Sequence, residues 1–459
     1  MITALYLITF AAVLLLSIKR IKERESISLY PIFMLGIAGL YLFIPAMVFM
    51  FGAYDIVNYD LIQIIKGSTN VERIVIYFYV VLCFAVVSIP QKMKCFNKLF
   101  QGQQRSRDKD EAEFVKVNSY NVCKIWFLVL AAIGLLCVLV MMIKIGPLGF
   151  IKYSGSARGE GNIQLQSGSL FAYATQYSRF LLAALVPGIL MYEIKKQNKM
   201  RNILIVIFAF SLLLQIFNAG KTSFIIFLVP FFVYAISRSG VLKMKYLMFV
   251  AVGIVILIPL LDNVFFFIWS GENIENYRTS WNVMNYMMNL VRLFTYPYAN
   301  MVMSGTITEI YGYRFFIDYL AIPVNLLPAA LFGGFEVNTL YHLTTEYYTT
   351  VLSHQGGMPN DFLFFAYRQL GVVGIAVIGS VTGIIIKILD NILFEVKDSL
   401  DLLRINLSHY ITTFSFASVV FILIEPLSAL SSFPNVIFAV MITVHLWCQL
   451  NGKIIKFRK

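Results

Sequence analysis

Eight basic residues of this chain stand apart from its clusters of lysine and arginine, and their types could do chemistry. The planar guanidinium of arginine binds phosphate oxygens in pairs and keeps its charge where water is excluded. Isolated arginines therefore predict contact with an anionic ligand, unless they reach lipid headgroups or pair with nearby carboxylates. The basic residues are Lys152, Arg158, Arg179, Lys221, Arg278, Arg292, Arg314 and Arg368. The carboxylates are Glu160, Glu309, Glu346 and Asp361.

Two of these arginines lie inside apolar runs. Arg179 and Arg368 each follow about two helical turns of apolar sequence. A charge within a membrane span costs at least about 2.5–3.5 kcal/mol and usually faces a polar cavity. Both would lie at a similar depth in the membrane, just below its external surface. Together with Arg158, Lys221 and Arg292 they predict one anionic site that opens to the external side.

A histidine and a set of tyrosines are the other candidates. His354 precedes an apolar run, and a histidine near its ordinary pKa can take a proton from a hydroxyl at neutral pH. A solvated loop histidine is the alternative. Tyrosines are dense between residues 277 and 348, Tyr298 among them, which suits stacking against sugar rings. The alternative for these aromatics is an interfacial belt and the core of a loop.

Metal and nucleotide motifs are not found. The sequence has no H-E-x-x-H pair and no glycine-rich phosphate loop. None of the five cysteines has C-x-x-C spacing, so disulfides and zinc are not expected. We therefore expect a metal-independent protein without a cofactor, and no nucleotide-driven activity.

The composition indicates the class of protein that positions these residues. Hydrophobic residues make up 59% of the 459 residues, charged residues 13%, and the mean hydropathy is +0.77. Soluble domains carry about 25% charged residues. The net charge of +13 resides mostly in short segments between apolar runs, which indicates membrane topology rather than a nucleic-acid partner.

The apolar runs predict an all-α polytopic integral membrane protein with about eleven transmembrane helices in a single domain over 1–459. A span needs about 20 apolar residues because the hydrocarbon core is about 30 Å thick. The N-terminus has no basic leader, so the first run is expected to be retained. The runs lie near 2–18, 28–52, 74–90, 125–146, 171–194, 202–217, 222–237, 246–268, 362–389, 408–430 and 433–450.

The basic clusters orient these spans. They follow spans one, three, five and seven and close the chain, so eleven spans place all of them on one face, which is cytoplasmic. The N-terminus is then external and the C-terminus cytoplasmic. This predicts a cytoplasmic linker at 91–123, a first external loop at 147–170 and a large external loop at 269–361. An apolar, proline-broken stretch at 319–332 predicts an interfacial or re-entrant piece within the large loop.

This arrangement resembles the oligosaccharide repeat-unit polymerases, which comprise the O-antigen, enterobacterial common antigen and capsule polymerases and are related to the O-antigen ligases. The likeness covers the topology of most of the chain. Locally it rests on five segments: Ser-Ala-Arg-Gly-Glu around Arg158, the turn 218–223 with Lys221, residues 290–300 with Arg292, Asn-Leu-Leu-Pro at 325–328, and residues 353–374 with His354.

The resemblance implies an architecture and a reaction. It implies the GT-C-like fold of membrane glycosyltransferases in the bacterial cytoplasmic membrane. Such enzymes transfer a glycan from undecaprenyl pyrophosphate to a sugar hydroxyl of another lipid-linked repeat unit. The pyrophosphate is the leaving group, so no nucleotide is needed. The implied partners are lipid-linked oligosaccharides, membrane lipid, a chain-length regulator and a flippase.

The resemblance also implies roles for the candidate residues. His354 is the first choice for the general base, with Asp361 or Glu346 second, and Arg292 is expected to act in catalysis. The pyrophosphate and glycan would contact the remaining candidates, which are Arg158, Arg179, Lys221, Arg278, Arg314, Arg368 and Tyr298.

Two other functions remain open. A glycan ligase would use the same chemistry with another acceptor. A polysaccharide or lipid-linked sugar exporter should show internal pseudo-symmetry and charges near mid-membrane on several spans. Here the unusual polar residues gather toward one external face, which favours an enzyme that takes lipid substrates laterally.

Overall fold

The computed structural model describes residues 2–24, 28–51, 60–93, 109–146, 174, 177–178, 180–217, 291–292, 294–321, 338–352 and 358–397. These residues form helices and connections, with no strand among them. Five helices in this part of the chain are long and apolar enough to cross a membrane: Ile2–Ile21, Leu29–Phe51, Asn70–Lys92, Cys123–Lys144 and Phe362–Ile388. The described chain is therefore that of an all-helical, multi-pass membrane protein.

The helices are named in chain order. They are α1 (Ile2–Arg24), α2 (Leu29–Phe51), α3 (Asp60–Gly67), α4 (Asn70–Lys92), α5 (Lys109–Ile145), α6 (Phe180–Lys195), α7 (Asn198–Phe217), α8 (Tyr296–Val302), α9 (Ser304–Tyr311), α10 (Ile317–Leu320), α11 (Leu340–Leu352) and α12 (Phe362–Lys397).

The helix bounds differ most from the expected spans at the starts of α5 and α6. α5 begins at Lys109, so residues 109–123 of the expected linker are helical and continue into the apolar span. Lysine, glutamate and alanine are good helix formers, and this polar extension needs no lipid contact. α6 begins at Phe180, after a turn at Ser178. The spans expected at 222–237, 246–268, 408–430 and 433–450 lie outside the described residues, so the count of eleven stays a prediction.

α1, α2, α4 and α12 form one packed group. α4 and α12 approach closely because two glycines of α12 face the valines of α4. A Cβ atom on Gly383 would lie 2.7 Å from the carbonyl oxygen of Val87, and one on Gly379 would lie 2.5 Å from a methyl carbon of Val86. Small residues at such contacts let helix backbones pack tightly in a membrane, where no hydrophobic effect drives helices together.

Polar contacts at the two ends of this group give the helix directions. At one end, the Tyr6 hydroxyl of α1 donates to the Arg73 carbonyl of α4 at 2.8 Å. At the other end, the Asp390 carboxylate of α12 accepts from the Ser28 hydroxyl at 2.7 Å and the Leu29 amide at 2.6 Å, where α2 begins. α1, α4 and α12 therefore run in the same direction, and α2 runs in the opposite direction. These are the directions expected for spans one, three and nine and for span two.

α5, α6 and α7 form a second packed group with its own apolar core. α6 and α7 are joined by a tight turn in which Lys196 adopts a left-handed φ of 50°. Gly134 of α5 lies against the start of α6, where a Cβ atom would be 2.5 Å from the Leu181 amide nitrogen.

The short helices α8, α9 and α11 belong to the expected large external loop, and they pack at the end of the first group where α12 begins. The Tyr298 hydroxyl of α8 lies 2.9 Å from the Tyr6 hydroxyl of α1. The Asn300 amide donates to the Pro359 carbonyl at 3.0 Å, and the Met358 amide donates to the Thr345 hydroxyl of α11 at 2.9 Å. Most of the expected interfacial stretch at 319–332 lies outside the described residues.

Candidate functional site

A sharp break divides α12 two turns after its start. Leu370 (φ −159°, ψ 38°) and Gly371 (φ 60°, ψ −138°) are not helical. Glycine suits the positive φ because it has no Cβ atom to clash. The two halves of the helix meet so closely that a Cβ atom on Gly374 would lie 2.1 Å from the Ala366 carbonyl oxygen. The break therefore ends the hydrogen-bond ladder of the first half inside the protein.

The connection between α9 and α10 pairs with the carbonyl groups that the break releases. The Arg314 amide donates to the Arg368 carbonyl, and the Phe315 amide donates to the Gln369 carbonyl, each at 2.9 Å. Buried backbone groups must find such partners, and non-helical backbone at membrane depth persists only where protein covers it. The loop thus covers the break directly.

Arg368 lies in the first half of α12, three residues before Gly371, and its side chain is fully buried. Its Nη1 group donates to the Thr308 hydroxyl of α9 at 2.5 Å. Its Nε and Nη2 groups have no hydrogen-bond partner within the described structure. Burying a charged group without a partner is costly. The N–H groups on these two nitrogens are therefore suited to an anion.

Arg314, the other predicted anion ligand in this region, is engaged in a structural pair. Its guanidinium contacts the Asp318 carboxylate at 3.0 and 3.2 Å, and it also donates to the Asn338 carbonyl at 2.5 Å. Asp318 accepts two further bonds, from the Gln369 amide at 2.9 Å and the Leu340 backbone amide at 3.1 Å. The pair thereby ties α10 to the start of α11 and to the break.

Asp318 was not among the residues predicted from the sequence, although its spacing from Arg314 could have indicated an ion pair. An arginine four residues before an aspartate is the spacing of an ion pair along one helical turn. What the spacing does not reveal is burial: Asp318 is 1% exposed, so its four hydrogen bonds hold a carboxylate inside the protein.

Asp361 is fully buried immediately before α12. Its Oδ2 atom accepts from the Tyr41 hydroxyl and from the Leu363 amide, the latter at 2.9 Å, so it caps the helix. Tyr41 lies in the π-helical segment Gly39–Phe43 of α2, a local irregularity that is frequent at functional sites. Burial raises the pKa of Asp361 to about 7, and the hydrogen bond from Tyr41 opposes that rise.

The remaining candidates have different surroundings. The Arg292 side chain is exposed, and its backbone carbonyl accepts from the Thr295 hydroxyl at 2.8 Å. Glu346 is exposed on α11. Tyr298 is fully buried among aromatic rings, and burial raises the pKa of its hydroxyl, so it supports the core rather than an exposed sugar platform. Five candidates lie outside the described residues: Arg158, Arg179, Lys221, Arg278 and His354.

We call Arg368, its hydrogen-bond partner Thr308 and the adjoining Gln369 the Arg368 cluster. Asp361 and Arg368 are seven positions apart, which places them about two turns apart on one side of the helix. Three buried side-chain oxygens of this region also lack a hydrogen-bond partner within the described structure, namely Asn300 Oδ1, Asp361 Oδ1 and Gln369 Oε1. The buried guanidinium suits an anionic group, whereas these acceptor oxygens suit donors such as hydroxyl groups.

Within the described ranges, no group of three or more His, Cys, Asp and Glu side chains could hold a metal ion. Neither a family model, nor a curated protein, nor a solved structure matches this chain. The resemblance to the repeat-unit polymerases therefore rests on the sequence segments named above.

Proposed function

We propose that this chain is a membrane glycosyltransferase that polymerises lipid-linked oligosaccharide repeat units at the external face of the bacterial cytoplasmic membrane. It would transfer a glycan from undecaprenyl pyrophosphate to a sugar hydroxyl of another lipid-linked unit. The observation that carries this proposal is the buried Arg368 guanidinium beside a helix break, whose Nε and Nη2 nitrogens have no partner in the described structure.

The proposed reaction places its main electrostatic demand on the leaving group. The acceptor oxygen bonds to the anomeric carbon while the bond from that carbon to the pyrophosphate oxygen breaks. Negative charge grows on the pyrophosphate, and a fixed guanidinium in a water-poor site stabilises such charge without reorganising. Arg368 suits this role because Thr308 already holds one edge of its guanidinium.

The acceptor hydroxyl must lose its proton to a base, for which we propose His354. Asp361 is the less suitable base because Tyr41 and the Leu363 amide occupy one carboxylate oxygen and the side chain is buried. We assign Asp361 to positioning the first half of α12. Glu346, exposed on α11, is the alternative base.

The test compares two arginine substitutions in membranes or nanodiscs supplied with the lipid-linked repeat unit. Arg368→Gln should abolish long glycan chains on a gel and leave single repeat units on their lipid. Arg201→Gln, at an exposed position of α7, is the matched control and should retain the ladder. Native chain lengths from a folded Arg368→Gln protein would overturn the assignment of Arg368.

His354→Ala and Arg292→Ala test the catalytic roles that sequence predicts. Each should also abolish long-chain glycan while single lipid-linked units remain. If either variant still produces long chains, that residue is not catalytic.

An exporter is the second candidate, and the break in α12 is the observation that favours it. Secondary transporters often bind their substrates at the ends of broken membrane helices. The two functions differ in where the lipid-linked unit accumulates when the protein is lost. Accumulation of single units at the external face supports a polymerase, whereas loss of all surface glycan with units held on the cytoplasmic leaflet would indicate export.

A further inference from the structure

The connection around α10 has an apolar outer surface that is exposed. Phe315 is 65% exposed and Leu320 is 74% exposed, and the nearby Tyr313 and Ile317 are also exposed. Large apolar side chains concentrated at this density mark an interaction surface rather than scattered surface residues. We call residues 313–320 the wedge.

The backbone of the wedge is bent in an unusual way that separates its two faces. Phe315 and Phe316 both adopt left-handed conformations, with φ of 47° and 63°. Bulky L-residues disfavour this region. Phe316 packs against Tyr319 at 6.5 Å between ring centroids, and Tyr319 packs against Phe365 of α12 at 5.4 Å. The bend therefore turns one phenylalanine toward the protein and leaves its neighbour exposed.

The inner face of the wedge is polar and firmly held. The Arg314–Asp318 ion pair lies on this side, together with the hydrogen bond from the Gln369 side-chain amide to Asp318. The hydrogen bond from the Phe315 backbone amide to the Gln369 carbonyl is also on this side. Asp318 is buried while Phe315 is exposed. A polar inner face and an apolar outer face make the wedge amphipathic, and its hydrogen bonds would hold the outer face in place.

The outer face is continuous with the surface of a membrane-spanning helix. The Tyr313 hydroxyl lies 3.2 Å from where a Cβ atom of Gly371 would be, and its ring is 6.4 Å from the ring of Tyr367. Immediately after Gly371, Val372, Val373 and Val377 are exposed on the span Phe362–Ile388. Exposed valines on such a span face hydrocarbon. The apolar face of the wedge therefore adjoins the lipid-facing surface of this helix.

We propose that the wedge inserts Phe315 and Leu320 into the bilayer at the boundary between headgroups and acyl chains. Amphipathic segments with aromatic and leucine side chains bind at this depth. Its partner is thus the lipid surface itself, and the inserted side chains would fix the depth of the adjoining helix break. This inference does not depend on the proposed enzymatic function.

The first measurement is the reactivity of single introduced cysteines in nanodiscs of phosphatidylethanolamine and phosphatidylglycerol. Phe315→Cys and Leu320→Cys should react with a charged maleimide roughly tenfold more slowly than Glu309→Cys, an exposed and charged position on α9. Added labelling over the parent chain is read by intact mass, and unfolding in SDS should restore full reaction at every position. Equal rates at Phe315 and Glu309 would overturn the proposal.

The second measurement distinguishes lipid from a protein partner or a second copy of the chain. Phe315→Trp keeps an aromatic side chain at the bend, and Glu309→Trp is its control. Lipids brominated near the top of the acyl chain should quench the added fluorescence at position 315 and not at position 309. Protection from maleimide without this quenching would mean that protein covers the wedge, and the proposal would fail.

Discussion

The Arg368 guanidinium donates to the hydroxyl of Thr308 at 2.5 Å, joining residues 60 positions apart in sequence. This bond holds the first half of α12 to α9 and is the one hydrogen bond of the Arg368 side chain within the described structure. It fixes the Nη1 group of the guanidinium and leaves the N–H groups of Nε and Nη2 in defined directions. The arginine is thus oriented before any ligand arrives.

Thr308→Val should therefore destabilise the protein. The substitution keeps the shape of the side chain but removes the acceptor, and leaving a buried donor unsatisfied costs about 1–3 kcal/mol, more for a charged group. Thermal unfolding in nanodiscs measures the loss. Thr306→Val, at an exposed position on the same helix, should leave the midpoint nearly unchanged. Equal midpoints for the two variants would contradict the structural role of the bond.

The titration of Asp361 should make stability depend on pH. Burial raises the pKa of its carboxyl to about 7 in the native state, whereas an unfolded aspartate titrates near 3.9. The native state then binds the proton more tightly, so this contribution is fully present below about pH 4 and is lost as the pH rises through 7. Asp361→Asn should remove that slope from thermal unfolding curves while keeping a side chain that caps helices well.

Tyr41→Phe provides the companion test of the same pair. The Tyr41 hydroxyl donates to the Asp361 carboxylate and so favours its charged form. Removing the hydroxyl should raise the pKa of Asp361 further and move the loss of stability to higher pH. Infrared spectroscopy of the protonated carboxyl band, with Asp361→Asn to identify it, follows the titration directly. A shift to lower pH would contradict the arrangement.

Gly383→Ala tests the close contact of α4 with α12. The added carbon would meet the Val87 backbone at 2.7 and 3.0 Å, so the helices must separate, and overpacking of this kind costs about 1–3 kcal/mol. Gly305→Ala is the matched control because nothing lies within 4 Å of its added carbon. That change, in a helix, should be neutral or stabilising by about 1 kcal/mol. The Gly383→Ala substitution should therefore lower the midpoint of thermal unfolding, whereas Gly305→Ala should leave that midpoint unchanged or raise it.

Asp390→Ala tests the opposite end of the bundle. It removes the acceptor for the Ser28 hydroxyl and for the Leu29 and Tyr30 amides, which lie at 2.7, 2.6 and 3.3 Å. Losing a helix cap costs about 0.5–2 kcal/mol, and the buried hydroxyl loses a partner as well. Asp390→Asn, which retains an acceptor oxygen, should unfold at a temperature between those of the parent chain and the alanine variant. An unchanged alanine variant would show that water replaces the carboxylate.

The composition and the apolar runs by themselves determined the class of this protein, because hydrocarbon admits helices and closed barrels and the runs have helix length. α1, α2 and α4 begin and end within a few residues of the predicted spans for this reason. The sequence also placed Arg368 inside an apolar run, where a charge needs a polar neighbour. It did not identify that neighbour as Thr308, since hydropathy carries no information on which helices meet.

Only the tertiary structure decided what each polar side chain does. Arg314 and Arg368 were both predicted to contact the anionic ligand, yet Asp318 engages the first, and the second keeps two nitrogens, Nε and Nη2, unpartnered among the described residues. Asp361 caps α12 through the nearby Leu363 amide, but the donor that also reaches its carboxylate is Tyr41, 320 positions away. The break at Gly371 leaves the Arg368 and Gln369 carbonyls without helical partners, so they accept hydrogen bonds from the connection between α9 and α10. Such outcomes depend on contacts between distant segments, which local periodicity does not encode.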